Sequence, residues 1–252
     1  MTNKLKYFIG NWKMFGDFGS FKIINKINLY ASKTIKSNKK KIVLCVPNTL
    51  IHFFKNKIRA KRIFLGAQNC HYHESYGAFT GSVSASMLKN IGAEYIILGH
   101  SENRIEGDAN QMIKKKIRSS LNKKLNVIFC IGETHKEKKM GRTFFVLRKQ
   151  IKESIEKKFN LNKIIIAYEP IWSIGSNKIP KISELKKIIK VIKKDFKKIL
   201  KTKKEPKVLY GGSVNPKNIG LFSLSNEIDG FLIGGASQSS KKFIDIIKNY
   251  YK

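Results

Sequence analysis

The sequence predicts an α/β protein, a closed (β/α)8 barrel forming a single domain over residues 1–252. Three observations lead there. Eight short apolar runs recur from end to end of the chain, the runs are continuous rather than alternating, and most of the gaps between them carry helical periodicity. A continuous apolar run suits a strand buried on both faces of a parallel sheet, because neither face meets water. Strands alternating with helices build such a sheet. Eight repeats with no Gly/Ser linker and no break in composition favour closure over the alternative, an open doubly wound sheet.

The strand candidates, in order, are residues 7–12 (YFIGNW), 42–46 (IVLCV), 63–67 (IFLGA), 95–98 (YIIL), 127–131 (VIFCI), 164–168 (IIIAY), 208–210 (VLY) and 231–233 (FLI). The clearest helix follows Pro180, where Ile182, Leu185, Ile188, Ile189, Ile192, Phe196 and Ile199 recur at three- and four-residue steps with lysines between them. That spacing makes one apolar stripe and one cationic face. Similar stripes fit residues 21–35, 113–125, 144–159 and 243–250.

Composition bounds the function. With 42% hydrophobic and 27% charged residues, the chain carries more apolar material than a disordered protein could. No apolar run approaches the roughly 18 residues that a membrane span needs, so no membrane partner is expected. Residues 1–13 (MTNKLKYFIGNWK) lack an extended apolar stretch and a small-residue cleavage site, which points to the cytoplasm. Cys45, Cys70 and Cys130 make an odd count without a C-x-x-C pair, and they are expected to be reduced and packed.

Lys plus Arg total 51 against 17 Asp plus Glu, a formal net charge of +34. A polyanion-binding protein is one reading of that excess. The lysines are scattered in doublets over amphipathic segments, not gathered in an arm or interleaved with aromatics, which favours a solvated cationic surface and no specific nucleic-acid partner. Such a field attracts small anions all the same.

In a barrel of this kind chemistry collects at the C-terminal rim, where strands end. The residues just past the apolar runs are Asn11 and Lys13, Gln68 and Asn69, His100 with Glu102, Glu133, Glu169, Gly212 and Ser213, then Gly234 and Gly235. The two Gly-Gly turns follow the last two strands, where backbone N–H groups and a helix N-terminus often cradle phosphate; taken singly, a Gly-Gly pair is more often a tight turn, and two at consecutive strand ends bring the two readings level. Lys13 reads either as a surface lysine or, from its place straight after a buried strand, as an inward ammonium. His100 reads either as a core histidine or as a neutral imidazole at a helix N-terminus, whose dipole disfavours the imidazolium. Glu102 could simply cap that helix. Glu169 is a strand-end ion-pair partner or, set against an apolar wall and the loop PIWSIGSN, a base made stronger by desolvation.

Several chemistries are disfavoured. His71, His73 and Glu74 beside Cys70 match no usual zinc spacing, and H-E-x-x-H is absent, so no metal is expected. There is no G-x-S-x-G for an acyl-transfer serine and no Walker loop for a nucleoside triphosphate.

The ordered set GNWKM (10–14), GAFTGS (77–82), LGHSENR (98–104), CIGE (130–133), AYEPIWSIGS (167–176), YGGS (210–213) and IGGAS (233–237) resembles the triosephosphate isomerase family over essentially the whole chain. The resemblance implies a TIM barrel that interconverts dihydroxyacetone phosphate and D-glyceraldehyde 3-phosphate with no cofactor. It implies Glu169 as the base, His100 as the group polarising the carbonyl, Asn11 and Lys13 as stabilisers of the enediolate, and Glu102 in support of the lysine. The amides of Gly175, Ser213, Gly234 and Gly235 would bind the phosphate, under a lid formed by residues 170–177. It further implies a homodimer, joined through the loop Tyr76, Gly77, Ala78, Phe79, Thr80 and Gly81. The chain departs from the family's usual residues at Ser82, Asn103, Ser173, Ser176 and Asn177. Dimer strength and lid motion are therefore expected to differ more than the chemistry.

Overall fold

The computed structural model describes residues 5–34, 40–58, 63–176 and 178–252. Ile35, the last residue of the first expected helix, and Asn177, at the end of the expected lid, lie outside them. The strands are β1 (Lys6–Asn11), β2 (Lys40–Cys45), β3 (Ile63–Ala67), β4 (Tyr95–Leu98), β5 (Asn126–Ile131), β6 (Ile164–Tyr168), β7 (Lys207–Tyr210) and β8 (Gly230–Ile233). Each pairs in parallel with the next, and β1 pairs with β8, so the sheet closes. All eight apolar runs are strands; three match to the residue and five have ends shifted by one or two residues. Trp12 lies just past β1 rather than in it; it is fully buried and its N–H still reaches Cys45 O at 3.0 Å.

The helices are α1 (Phe21–Lys33), α2 (Asn48–Lys57), α3 (Ala85–Asn90), α4 (Ser101–Ile105), α5 (Asn110–Asn122), α6 (His135–Lys139), α7 (Thr143–Ser154), α8 (Ile182–Ile199), α9 (Ile219–Ser223) and α10 (Ser240–Tyr250). The expected helix 113–125 starts earlier and stops at Asn122, because Lys124 turns left-handed at φ 61°. The expected helix 144–159 stops at Ser154, where Ile155 goes extended.

Strand geometry splits the core in two. Side chains alternate along a strand, so Ile9, Val43, Cys45, Tyr95, Ile97, Ile128, Cys130, Ile165, Ala167, Leu209 and Leu232 pack inside the barrel. The other parity, with Phe8, Leu44, Ile96, Phe129, Ile166 and Val208, packs outward against helices such as α8, whose Leu185, Ile188, Ile189, Ile192 and Phe196 are buried. The same alternation aims the site. Ile9 leads to Asn11, the last residue of β1, and Ala167 leads to Glu169, just past β6, so both polar residues continue an inward row to the barrel's rim.

The opposite end of the barrel holds a buried charge cluster. Asp229 accepts the Val208 N–H at 2.9 Å and pairs with Lys193 at 3.0 Å, and Lys6 donates to Ile228 O. All three cysteines are free and buried, as expected of reduced, packed thiols.

Candidate active site

Glu169 is 3% exposed and His100 4% exposed. Glu169 sits where β6 ends, with its N–H on Ile131 O at 2.8 Å. Two glycines make room for it. A Cβ on Gly211 would lie 2.7 Å from Glu169 Cγ, and one on Gly132 would lie 1.8 Å from its backbone oxygen. Gln150 holds Gly132 from both sides, accepting its N–H at 2.9 Å and donating to its carbonyl at 3.0 Å. Burial pushes the Glu169 carboxyl above its usual range, against the downward pull of His100, the Cys130 thiol and Lys13. Its Oε2 has no hydrogen-bond partner among the described residues. The expected desolvated carboxylate is present.

His100 arrives by a different route. Gly99, at φ 72°, breaks the strand's alternation and turns the next residue to the mouth. His100 then caps α4, its Nδ1 accepting the Glu102 N–H at 3.3 Å. A nitrogen that accepts a backbone N–H carries no proton, so the ring's proton belongs on Nε2. That Nε2 stands 3.4 Å from Glu169 Oε1. Arg104 fixes the turn behind it, donating to Gly99 O at 2.8 Å and to Cys130 O at 3.1 Å.

Lys13 adopts φ 57°, a conformation costly for a side chain. Asn11 Oδ1 accepts the Lys13 N–H at 3.1 Å and helps hold it there, while the ammonium meets Glu102 Oε1 at 2.5 Å. Strain of this kind persists where surrounding contacts over-determine it.

One cavity of about 700 Å³ is lined by Asn11, Lys13, His100, Glu169, Gly175, Ser213, Gly234 and Gly235, among others. Every expected site residue but Glu102 is therefore brought to it. Glu102 lines an adjacent hollow with Asn11, Lys13 and His100. His71 and His73 stand elsewhere, their rings 4.3 and 5.2 Å from that of Phe79. Among the described residues no group of three or more His, Cys, Asp or Glu side chains is placed to hold a metal ion.

The segment after Glu169 has partners that sequence reasoning did not assign. Glu133 Oε1 accepts both the Trp172 indole N–H at 3.0 Å and the Tyr168 hydroxyl at 3.1 Å. Burial raises the Glu133 carboxyl, and those two donors oppose the rise. Lys138 Nζ sits 3.9 Å from the centre of the Trp172 ring. Glu133 was visible as a carboxylate at a strand end; its two partners depend on tertiary packing.

A buried carboxylate facing an imidazole, in a glycine-lined cavity at the mouth of a closed barrel, defines an acid–base enzyme for a small substrate. The family model described as triosephosphate isomerase matches residues 6–250. A triosephosphate isomerase of Dictyoglomus thermophilum is 39% identical over 249 residues, covering 97% of this chain and 99% of that one. One from Yarrowia lipolytica is 38% identical over 243 residues, covering 95% and 96%. The crystal structure of triosephosphate isomerase from Bartonella henselae superposes with a TM-score of 0.86 at 31% identity, over 98% of this chain and 99% of that one. The chain belongs to the triosephosphate isomerase family.

Proposed function

We propose that the chain interconverts dihydroxyacetone phosphate and D-glyceraldehyde 3-phosphate, the step that joins the two triose phosphates in glycolysis and gluconeogenesis. One observation carries the reading: Glu169 Oε1 and His100 Nε2 stand 3.4 Å apart in the cavity that Gly175, Ser213, Gly234 and Gly235 also line. The Glu169 carboxylate removes a proton from the carbon next to the carbonyl. His100, neutral with its proton on Nε2, hydrogen-bonds the carbonyl oxygen as negative charge develops there. The same proton-transfer groups, used in reverse at the adjacent carbon, complete the exchange of aldose and ketose with no net gain or loss of atoms. Triosephosphate isomerases are themselves the reference case for this pairing of a glutamate base with a neutral histidine.

Lys13 and Asn11 stabilise the enediolate, and Glu102 holds the ammonium in place. The amides of Gly175, Ser213, Gly234 and Gly235 take the phosphate. Residues 170–177 act as the lid that excludes water and keeps the enediolate from shedding phosphate, a gating role for which this enzyme is again a standard example. A coupled assay with glyceraldehyde 3-phosphate in the presence of chelator tests the reading; no turnover would overturn it.

The working unit we propose is a homodimer formed through Tyr76, Gly77, Ala78, Phe79, Thr80 and Gly81. Its support is the exposed apolar side chains of that loop: Tyr76 is 72% exposed and Phe79 38%. We place the enzyme in the cytoplasm, on the support of three buried, unpaired thiols.

A further inference from the structure

Ser173 lies inside the lid and is fully buried. Its hydroxyl has three neighbours: Lys178 O at 2.5 Å, the Tyr210 hydroxyl at 3.0 Å and the Ser213 N–H at 3.4 Å. A serine hydroxyl offers one proton and two lone pairs. The assignment is then unique. The proton goes to the Lys178 carbonyl, which can only accept; the two lone pairs receive the Ser213 N–H and the Tyr210 O–H. One oxygen thus joins the front of the lid to the residue just past it, to the end of β7 and to the glycine turn after β7.

Gly212 leaves the space for this junction. A Cβ there would lie 2.2 Å from the Tyr210 hydroxyl oxygen and 2.6 Å from Ser173 Oγ. Burial pushes the Tyr210 phenol up to about 12, and the Ser173 hydrogen bond works against the rise. The junction touches the cavity through one of its partners and borders it through a second residue. Ser213 lines it directly, and so does Gly175, two residues along the lid from Ser173.

We infer that Ser173 is a positioning residue for phosphate binding: its hydroxyl pre-organises the lid and the Ser213 turn, so that the phosphate meets amides already aimed at it. The inference rests on the proposed isomerase reading for its substrate, although its binding arm does not need turnover. When only a fraction of molecules holds the binding-competent arrangement, apparent affinity falls by that fraction. Loss of such pre-organisation weakens ground state and transition state alike, which raises KM and leaves kcat in place.

The test uses Ser173→Ala, Tyr210→Phe and the double variant, with two readouts: KM and kcat for glyceraldehyde 3-phosphate, and the Kd of inorganic phosphate by calorimetry. In Ser173→Ala, KM and the phosphate Kd should rise together by about five- to tenfold, with kcat within about threefold of the parent. Because the two hydroxyls share one hydrogen bond, the double variant should be far less impaired than the product of the single effects. An unchanged phosphate Kd in Ser173→Ala, a loss confined to kcat, or effects that multiply independently would overturn the inference. If the parent binds phosphate but shows no isomerase activity, the functional reading fails, and the calorimetric arm still decides the role of Ser173.

Discussion

Glu169 Oε1 faces His100 Nε2 at 3.4 Å, although the two residues leave different strands and reach the mouth by different means. Glu169 extends the inward row of β6, whereas His100 is turned in by the left-handed Gly99. The pair is enclosed, and enclosure sets its chemistry: a carboxylate deprived of water is a stronger base than an exposed one.

The folded-state pKa of Glu169 is raised above the ordinary 4.5, burial being the main cause. Its protonated form is therefore the one the fold favours. The stability this group contributes is fully present below about 4.5 and is lost as pH rises through the higher folded value. Glu169→Gln should thus gain melting temperature relative to the parent at pH 7, and the gain should vanish near pH 4. Activity in the same variant should fall by about 10²–10⁴-fold. Calorimetry at the two pH values with parallel kinetics checks both, and a variant less stable than the parent at pH 7 would count against a costly buried charge.

Gly211 offers a geometric test. It stands in a glycine turn that the sequence alone associates with phosphate, yet its missing side chain also clears Glu169, since a Cβ would come within 2.7 Å of Cγ. Gly211→Ala should push the base aside by a few tenths of an ångström or more. A misplacement of that order costs catalysis more than binding, up to about 10²-fold for an ångström. We expect kcat to drop at least about tenfold with KM changed less. A variant that loses affinity and keeps kcat would show that the turn serves the phosphate alone.

The eight strands were legible because a strand buried on both faces must be apolar at every position, as IIIAY of β6 is. The long α8 was legible to the residue, its stripe running for five turns without interruption. Short helices were less so: α4 was announced only by SENR after His100, and α6 and α9, with five residues each, are too short for a period of 3.6 to declare itself. At the site, residue order revealed which groups reach the rim but not which of them touch. Nothing in CIGE says that Glu133 will take both Trp172 and Tyr168, and nothing in WSIGS says that the serine hydroxyl will meet Tyr210. Those contacts are set by how β5, β6 and β7 are packed.

Phe79 tests the proposed dimer. Its ring packs against His71 and His73 and remains 38% exposed at the tip of a loop that carries Tyr76 as well. Placed in a partner's surface, such an anchor supplies much of the binding energy, and truncating or charging it costs about 2 kcal/mol or more. The parent should sediment at twice the chain mass of 28.9 kDa and Phe79→Asp at a lower average mass. A parent that sediments at the mass of one chain even at high concentration would remove the dimer.

The far end of the barrel should respond in the opposite sense to the mouth. Asp229 is fully buried, takes the Val208 N–H at 2.9 Å and pairs with Lys193 at 3.0 Å. Burial pulls the Lys193 ammonium down, but Asp229 and Glu205 outweigh it and leave its value raised above 10.5. A lysine raised on folding contributes stability below the unfolded value and loses it as pH climbs through the folded one. The cluster therefore stabilises the fold throughout the neutral range. Asp229→Ala strips the buried lysine of its main counter-charge, and breaking a buried pair in this way costs about 3–5 kcal/mol. In a barrel whose chemistry lies at the C-terminal rim, residues at the other end bear on stability. The variant should accordingly unfold at lower denaturant while folded enzyme keeps kcat and KM within about twofold of the parent. Chemical denaturation paired with kinetics at 25 °C separates the two effects, and a large drop in kcat with unchanged stability would mean that the two ends of the barrel are coupled.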